Sequence, residues 1–237
     1  MSGELRVIPV RGVPEVGAGD EIARQLADAA AAQDTPLHDG DILVVTQKIV
    51  SKAEGRIVAL DPSDAAARVG LIESESERVL RRRGELIISE TRHGFVCANA
   101  GVDVSNVELG AAALLPVDPD RSARKLRDVI RVELGVNVGV IISDTFGRAW
   151  RMGLTDVAIG VCGVAALVDL KGQRDANGRA LQVTEIAIAD ELASAAELVM
   201  GKAAGIPASI VRGLEPAWLV EATGAELVRP PAEDLFR

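Results

Sequence analysis

Two short segments of this chain hold residue types suited to phosphate chemistry. Asp144 and Thr145 follow an apolar run at residues 138–142 and precede Arg148 and Arg151, while Asp103, Ser105 and Asn106 follow Gly101. Carboxylates and hydroxyls are hard oxygen donors for a divalent cation, and guanidinium forks match phosphate or carboxylate oxygens. Mg²⁺ at phosphate-transfer sites is commonly held by one or two carboxylates plus phosphate oxygens and water, so Asp103 and Asp144 would suffice if they met. Lys48, Lys52 and Arg56 follow a second apolar run and would add positive charge for phosphate. Each feature also has a plainer reading: Asp144 capping a turn, Asp103 closing an Asx-turn, the lysines facing solvent. These residues alone leave both open.

The elements that must position them are legible from periodicity. Residues 138–142 read as a strand buried on both faces that stops at Ser143-Asp144-Thr145, before a Gly-Arg loop. Asp144 then falls at a strand's carboxyl end, where ligands gather in open α/β sheets. Residues 5–10 alternate as a strand, and a Gly- and Pro-rich loop, 12–19, leads to Asp20 as the expected cap of a helix reaching Ala32. That loop is either an ordinary connection or a backbone-lined ligand contact. Asp39-Gly40-Asp41 marks a turn before a second buried strand at 42–45.

Residues 64–83 read as one helix with Val69, Ile72, Val79 and Leu80 as its apolar stripe and Arg81–Arg83 as its solvated end. Short strands are expected at 86–90 and 94–98; His93, between them, is read as a loop hydrogen-bonding residue in preference to a proton shuttle. A helix over 122–134 ends at Gly135, an apolar segment covers 156–162, and a polar loop covers 171–179. A long helix over 185–204 and a strand over 208–211 complete the pattern. With no repeat or low-complexity linker, residues 1–237 are expected to form one compact α/β domain, a mixed sheet with flanking helices.

Composition narrows the function. Apolar residues make up 48% of the 237 and aromatics only 2%, so the core is aliphatic, as in α/β proteins. A net charge of −9 disfavours non-specific nucleic-acid binding and requires any anionic ligand to be held by local cations. Cys97 and Cys162 lack metal-type spacing and read as buried thiols in a reducing cytoplasm. The amino terminus lacks a signal layout and no apolar run is long enough for a membrane span, so a soluble cytoplasmic protein is expected. Gly201-Lys202 lacks the rest of a P-loop, and the Rossmann glycine pattern, His-Glu-x-x-His and Gly-x-Ser-x-Gly are absent.

The segments Gly12-Val13-Pro14-Glu15, Asp39-Gly40-Asp41 through Lys52-Ala53-Glu54-Gly55-Arg56, Gly101-Val102-Asp103-Val104-Ser105-Asn106, Asp144-Thr145-Phe146-Gly147-Arg148-Ala149-Trp150-Arg151 and Val211-Arg212-Gly213 closely resemble the F420 gamma-glutamyl ligase family. The resemblance runs in order from about Arg6 to Gly213. It implies a family-specific fold, neither P-loop nor Rossmann, and GTP-dependent ligation of L-glutamate to coenzyme F420-0, then of further γ-linked glutamates, through an acyl phosphate. By motif, Val13, Pro14, Glu15, Val16, Gln47, Lys52 and Asn106 fall on GTP-contacting positions, and Asp103, Asp144 and Thr145 on metal positions. Catalysis is expected of Asp103, Asp144 and Lys52.

The resemblance further implies Mg²⁺ or Mn²⁺, with K⁺ as an additional ion, and a homodimer. Residues 200–207 align with another nucleotide-contacting stretch. Lys202 stands where archaeal members carry a metal-binding Gln; protonated, it can replace a cation's charge but cannot ligate one. Arg148 and Arg151 are candidates for phosphate or carboxylate contacts. Mycobacterial relatives carry an additional flavin-reductase-like domain, whose activity is not expected of a chain ending at Arg237. From the residues alone, a metal-dependent phosphatase or phosphotransferase and a non-catalytic GTP-binding regulator stand as alternatives.

Overall fold

A computed structural model describes residues 3–235. Met1 and Ser2, with which the reading of the amino terminus begins, and the closing Phe236 and Arg237 lie outside the described residues. In chain order the elements are β1 (Arg6–Val10), α1 (Ile22–Ala32), β2 (Ile42–Thr46), α2 (Gln47–Ala53), β3 (Ile57–Ala59), α3 (Ala65–Ser74), β4 (Ser76–Arg83), β5 (Leu86–Thr91), β6 (Val96–Ala98), β7 (Ala111–Ala113), α4 (Pro119–Leu134), β8 (Gly139–Arg148), β9 (Arg151–Cys162), β10 (Val168–Asp169), β11 (Glu185–Ile186), α5 (Ile188–Met200) and β12 (Ala208–Arg212).

The principal sheet has the order β1-β12-β2-β8-β9 and is mixed: β2 and β8 run parallel, and the other neighbours run antiparallel. Its central strands are apolar on both faces because both faces are covered by helices. Leu43, Val45, Val140 and Ile142 pack with Leu26 of α1 and Leu126 and Ile130 of α4. The alternate residues Ile42, Val44 and Ile141 pack on the other face with Leu192, Ala193 and Ala196 of α5. Arg212 closes the sheet's end by donating two hydrogen bonds, 2.8 and 2.7 Å, to the buried Asp41. Among the described residues no helix is long and apolar enough to cross a membrane.

The helix ends follow from local chemistry. Asp118 accepts from the Arg121 N–H at 2.9 Å, Pro119 occupies the first turn, and Gly135 takes the left-handed conformation (φ 69°) that ends α4. The helix therefore starts three residues before the expected Ser122. Asp20 does not cap α1; it turns back to accept from the Gly17 N–H at 2.8 Å and ties the preceding loop instead. α5 is shorter than the expected 185–204, because Glu185 and Ile186 pair with Asp169 and Val168 and Gly201 (φ 62°) stops the helix.

The largest departure is at residues 64–83, which are not one helix. α3 ends at Ser74, and β4 returns as the edge of a three-stranded antiparallel sheet with β5 and β6. Val69 and Ile72 of α3 and Val79 of β4 all serve the same small core, so the apolar stripe is real but belongs to two elements. Arg82 lies on the strand and pairs back to Glu73. Pairing with β5 overrides the helical propensity of a charged stretch.

α4 meets β9 in direct backbone contact: a methyl group at Gly160 would land on the Pro119 carbonyl. Gly160→Ala should therefore push α4 off the sheet and lower unfolding stability by about 1–3 kcal/mol in urea titration, the usual cost of overpacking.

Candidate active site

β8 outruns its parallel neighbour. β2 ends at Thr46, opposite Ser143, whereas β8 continues to Arg148 and returns as β9. Asp144 is thus not at a strand's carboxyl end but on the first residue past the β2 pairing, held from one side only by Val157 of β9. Between Ile142 and Ser143 the register slips by one, leaving Ile159 as an extra residue in β9. Alternation along β8 sends Asp144 toward the α1–α4 face, with Ile142, and Thr145 toward the α5 face, with Ile141.

The gap left by β2 is a cleft of about 450 Å³. Its wall comes from four places: Val13, Pro14, Glu15 and Val16 of the first loop; Gln47, Lys48 and Lys52 of α2; Asp103 and Asn106; and Asp144, Thr145 and Asp156 of the hairpin. Residues from Met200 to Pro207, among them Lys202, close the remaining side. Val13, Pro14, Glu15, Val16, Gln47, Lys52, Asp103, Asn106, Asp144 and Thr145, the residues carried onto nucleotide, metal and catalytic positions, all line this one cleft, whereas Ser105 does not. The arginines do not: Arg148, at the hairpin tip, donates to the Met152 carbonyl, and neither it nor Arg151 reaches the cleft wall. Arg56 is also diverted, to Glu75 and the Leu115 carbonyl. His93 bonds the Pro116 and Val117 carbonyls, 2.9 and 3.1 Å away, as a loop residue does.

The first loop is anchored where it lines the cleft. Gly19 N–H donates to the Ala53 carbonyl at 2.8 Å, and Lys52 pairs with Glu15 across the opening. Gln47 is buried; its Oε1 accepts from the Ser51 hydroxyl, but its Nε2 donor has no partner among the described residues. An unpaired buried amide on a cleft wall favours a ligand that supplies an acceptor.

The acidic side chains divide into two groups. Asp103 accepts from Lys48 at 2.9 Å and from the Ser105 N–H at 2.7 Å. Burial pushes its carboxyl up, but these bonds outweigh burial and hold it below the usual carboxylate range. Among the described residues Asp144 takes one hydrogen bond, from the Thr145 N–H at 2.8 Å. Burial first, then the neighbouring Asp103 and Asp156, push its carboxyl up to about 7.

Asp156 is the residue that reading the sequence missed. It is buried, accepts from the Thr145 hydroxyl at 2.7 Å, and pairs with Lys202 at 2.5 Å. Its signal was a carboxylate opening an otherwise apolar segment, 156–162.

The donor set fits a hard divalent cation that also takes ligand oxygens. Among the described residues no three His, Cys, Asp or Glu side chains gather closely enough to hold a metal by themselves. Asp103 and Asp144, with phosphate oxygens and water, match the sparse protein ligation usual for Mg²⁺.

The fold is thus a mixed α/β sheet with a polar, acid- and lysine-lined cleft where its parallel strand pair ends, the kind of opening in which α/β proteins hold ligands. Sequence comparison gives this class its family. The chain belongs to the F420-0:Gamma-glutamyl ligase family, whose model matches residues 12–213. It is 47% identical to the coenzyme F420:L-glutamate ligase of Methanothermobacter thermautotrophicus, covering 98% of this chain and 99% of that one. It is 45% identical to the enzymes of the same name from Methanopyrus kandleri, over 98% of both chains, and Methanocaldococcus jannaschii, over 85% of this chain and 86% of the relative.

The raised Asp144 carboxyl makes a stability prediction for the metal-free protein. Because its folded pKa exceeds the unfolded value, the native state holds the extra proton, and stability falls as pH rises from about 4 through about 7. Asp144→Asn removes that loss. Its stability advantage over the parent should be near zero at pH 4 and on the order of 2 kcal/mol at pH 8, read from urea unfolding with chelator present.

Proposed function

We propose that this protein joins L-glutamate to coenzyme F420-0, and then further glutamates through γ-linkages, at the expense of GTP. The relatives' names support the reaction, and the observation that carries the reading is the convergence of loop 13–16, Gln47, Lys52, Asp103, Asn106 and Asp144 on one cleft. Two of the matched relatives cover 98% of the chain, so the matched length takes in the stretches that line the cleft.

A carboxylate does not condense with an amine unaided, because its oxygen is a poor leaving group. In the proposed sequence the acceptor carboxylate takes the γ-phosphoryl of GTP, giving an acyl phosphate and GDP. The glutamate amine then attacks the acyl carbon, loses a proton and expels phosphate. The protein's task is mostly positioning and charge neutralisation. Val13–Val16 and Gln47 frame the nucleotide, with the unpaired Gln47 amide supplying a donor. Lys52 turns from Glu15 to phosphate oxygens, and Asn106 borders the phosphates opposite. Asp103 and Asp144 hold Mg²⁺ or Mn²⁺, which supplies neutralisation of phosphate charge. Cytoplasmic activity fits the two buried free thiols.

Mass spectrometry of F420-0 incubated with GTP, glutamate and Mg²⁺ or Mn²⁺ should show stepwise glutamyl additions. Asp144→Asn should lower that rate by at least about a thousandfold while leaving the circular dichroism spectrum unchanged. GTP hydrolysis without glutamyl product, or full turnover by folded Asp144→Asn, would sink this reading.

The proposal extends to a homodimer. It is supported by Trp150, Met152 and Leu154 on the β8–β9 hairpin, apolar side chains that remain largely exposed on a single chain. Equilibrium sedimentation should return twice the 24.8 kDa chain mass, and Met152→Glu should return the single-chain mass.

A further inference from the structure

The cleft contains two groupings of oxygens, one on each side of β8, and each has a different counter-charge. On one side stand Asp103 and Asp144. Lys48 pairs with Asp103 and acts on Asp144 only through space; among the described residues no lysine or arginine forms an ion pair with Asp144. On the other side stand Thr145 and Asp156. There the Lys202 ammonium donates to Thr145 Oγ1 at 2.7 Å and to Asp156 Oδ1 at 2.5 Å, with Glu197 Oε1 at 3.5 Å.

The hydrogen-bond arithmetic of this second group is closed. The Thr145 hydroxyl has one proton, which goes to Asp156 Oδ1, and its oxygen accepts from Lys202. The second Asp156 oxygen faces the Ser143 hydroxyl at 3.4 Å. A protonated lysine has three donors and no lone pair, so it can satisfy oxygens but cannot ligate a metal. A divalent ion entering between Thr145 and Asp156 would have to displace a like charge tethered to the backbone directly behind Gly201, where α5 ends. Lysine delivers its charge as a compact point, as a small cation does.

From this geometry, and resting on the ligase reading above, we propose that the Lys202 ammonium is a permanent resident cation of the active site. It takes the place between Thr145 and Asp156, so the nucleotide-loaded enzyme binds a single divalent ion, at Asp103 and Asp144. Thr145, expected above to hold a metal, instead serves the ammonium. Lys202 acts as a positioning residue: it fixes Asp156 and Thr145 and presents positive charge to the cleft at a metal concentration of zero. The enzyme's dependence on divalent ion is then first order, and it tolerates lower metal concentrations than a site filled by two dissociable ions.

The test counts ions rather than turnover. Lys202→Gln keeps much of the side chain's length, removes the charge and offers an amide oxygen to a cation. Mn²⁺ is titrated into full-length protein saturated with the β,γ-imido analogue of GTP, and free Mn²⁺ is read by electron paramagnetic resonance. The parent should bind one Mn²⁺ per chain and Lys202→Gln two, with the melting temperature confirming that the variant is folded. In turnover assays the variant's rate should rise with the second power of Mn²⁺ at low concentration, against the first power for the parent. Two Mn²⁺ on the parent, or one on a folded Lys202→Gln, overturns the resident-cation assignment and leaves the ligase reading standing. No Mn²⁺ on either protein overturns both.

Discussion

The site depends on one mismatch of length. β2 stops at Thr46 while β8, its parallel partner, continues for five residues beyond Ser143. Had the two strands ended together, Asp144 would sit in a loop, free to choose its direction. Instead β9 holds the backbone extended, so alternation alone decides that Asp144 and Thr145 point to opposite faces. The missing strand leaves the opening, and the surviving hairpin fixes what lines it. The chain then fills the floor and sides with α2, which begins immediately after β2, and with the loop anchored to Ala53.

That arrangement concentrates negative charge in a chain already at −9. The repulsion is visible in Asp144, whose carboxyl is pushed toward neutrality by burial and by its two acidic neighbours. Local cations answer it: Lys48 on Asp103, Lys202 on Asp156, and Lys52 at the rim. An anionic ligand entering here meets these ammonium groups at short range, where they outweigh the screened field of distant surface acids. Lys48 and Lys52, which offset Asp103 and Glu15 in the folded chain, are also the ammonium groups that an anionic ligand would meet at the opening. Aliphatic packing on both sides of the sheet supplies the rigidity against which this unfavourable charge cluster is held.

Much of this was legible beforehand because it depends on short-range patterns. The buried strands expected at 42–45 and 138–142, the Gly135 stop and the polar loop at 171–179 follow from continuous apolar runs, glycine conformation and composition. What was not legible depended on partners distant in sequence. Residues 76–83 are charged enough to continue a helix, and only pairing with β5 makes them a strand. Asp20 had the right type and place for a cap, yet a local turn to Gly17 competes for the same carboxylate. The extension of β8 beyond Ser143 follows from β9, whose buried apolar half is legible as a segment at 156–162 and whose exposed half, residues 151–155, is not. The cleft residues came largely from resemblance rather than from periodicity, and Asp156 escaped both because it lies in a run read as core.

Asp156 also shows why its grouping is best understood through burial. A carboxylate this deep would ordinarily be neutral or paired, and here Thr145, Ser143 and Lys202 all converge on it. A dissociable ion could pair it only while bound, leaving the apo protein with an exposed repulsion between Asp156 and Asp144. A tethered ammonium removes that dependence, since its local concentration is set by the chain and not by solution. The cost is adaptability: Lys202 is fixed to the end of α5 and cannot follow a shifting phosphate as a free ion can. On the proposed reading the two demands are separated: constant neutralisation falls to a side chain, and the Asp144 face is left for the ion proposed to come and go with a nucleotide.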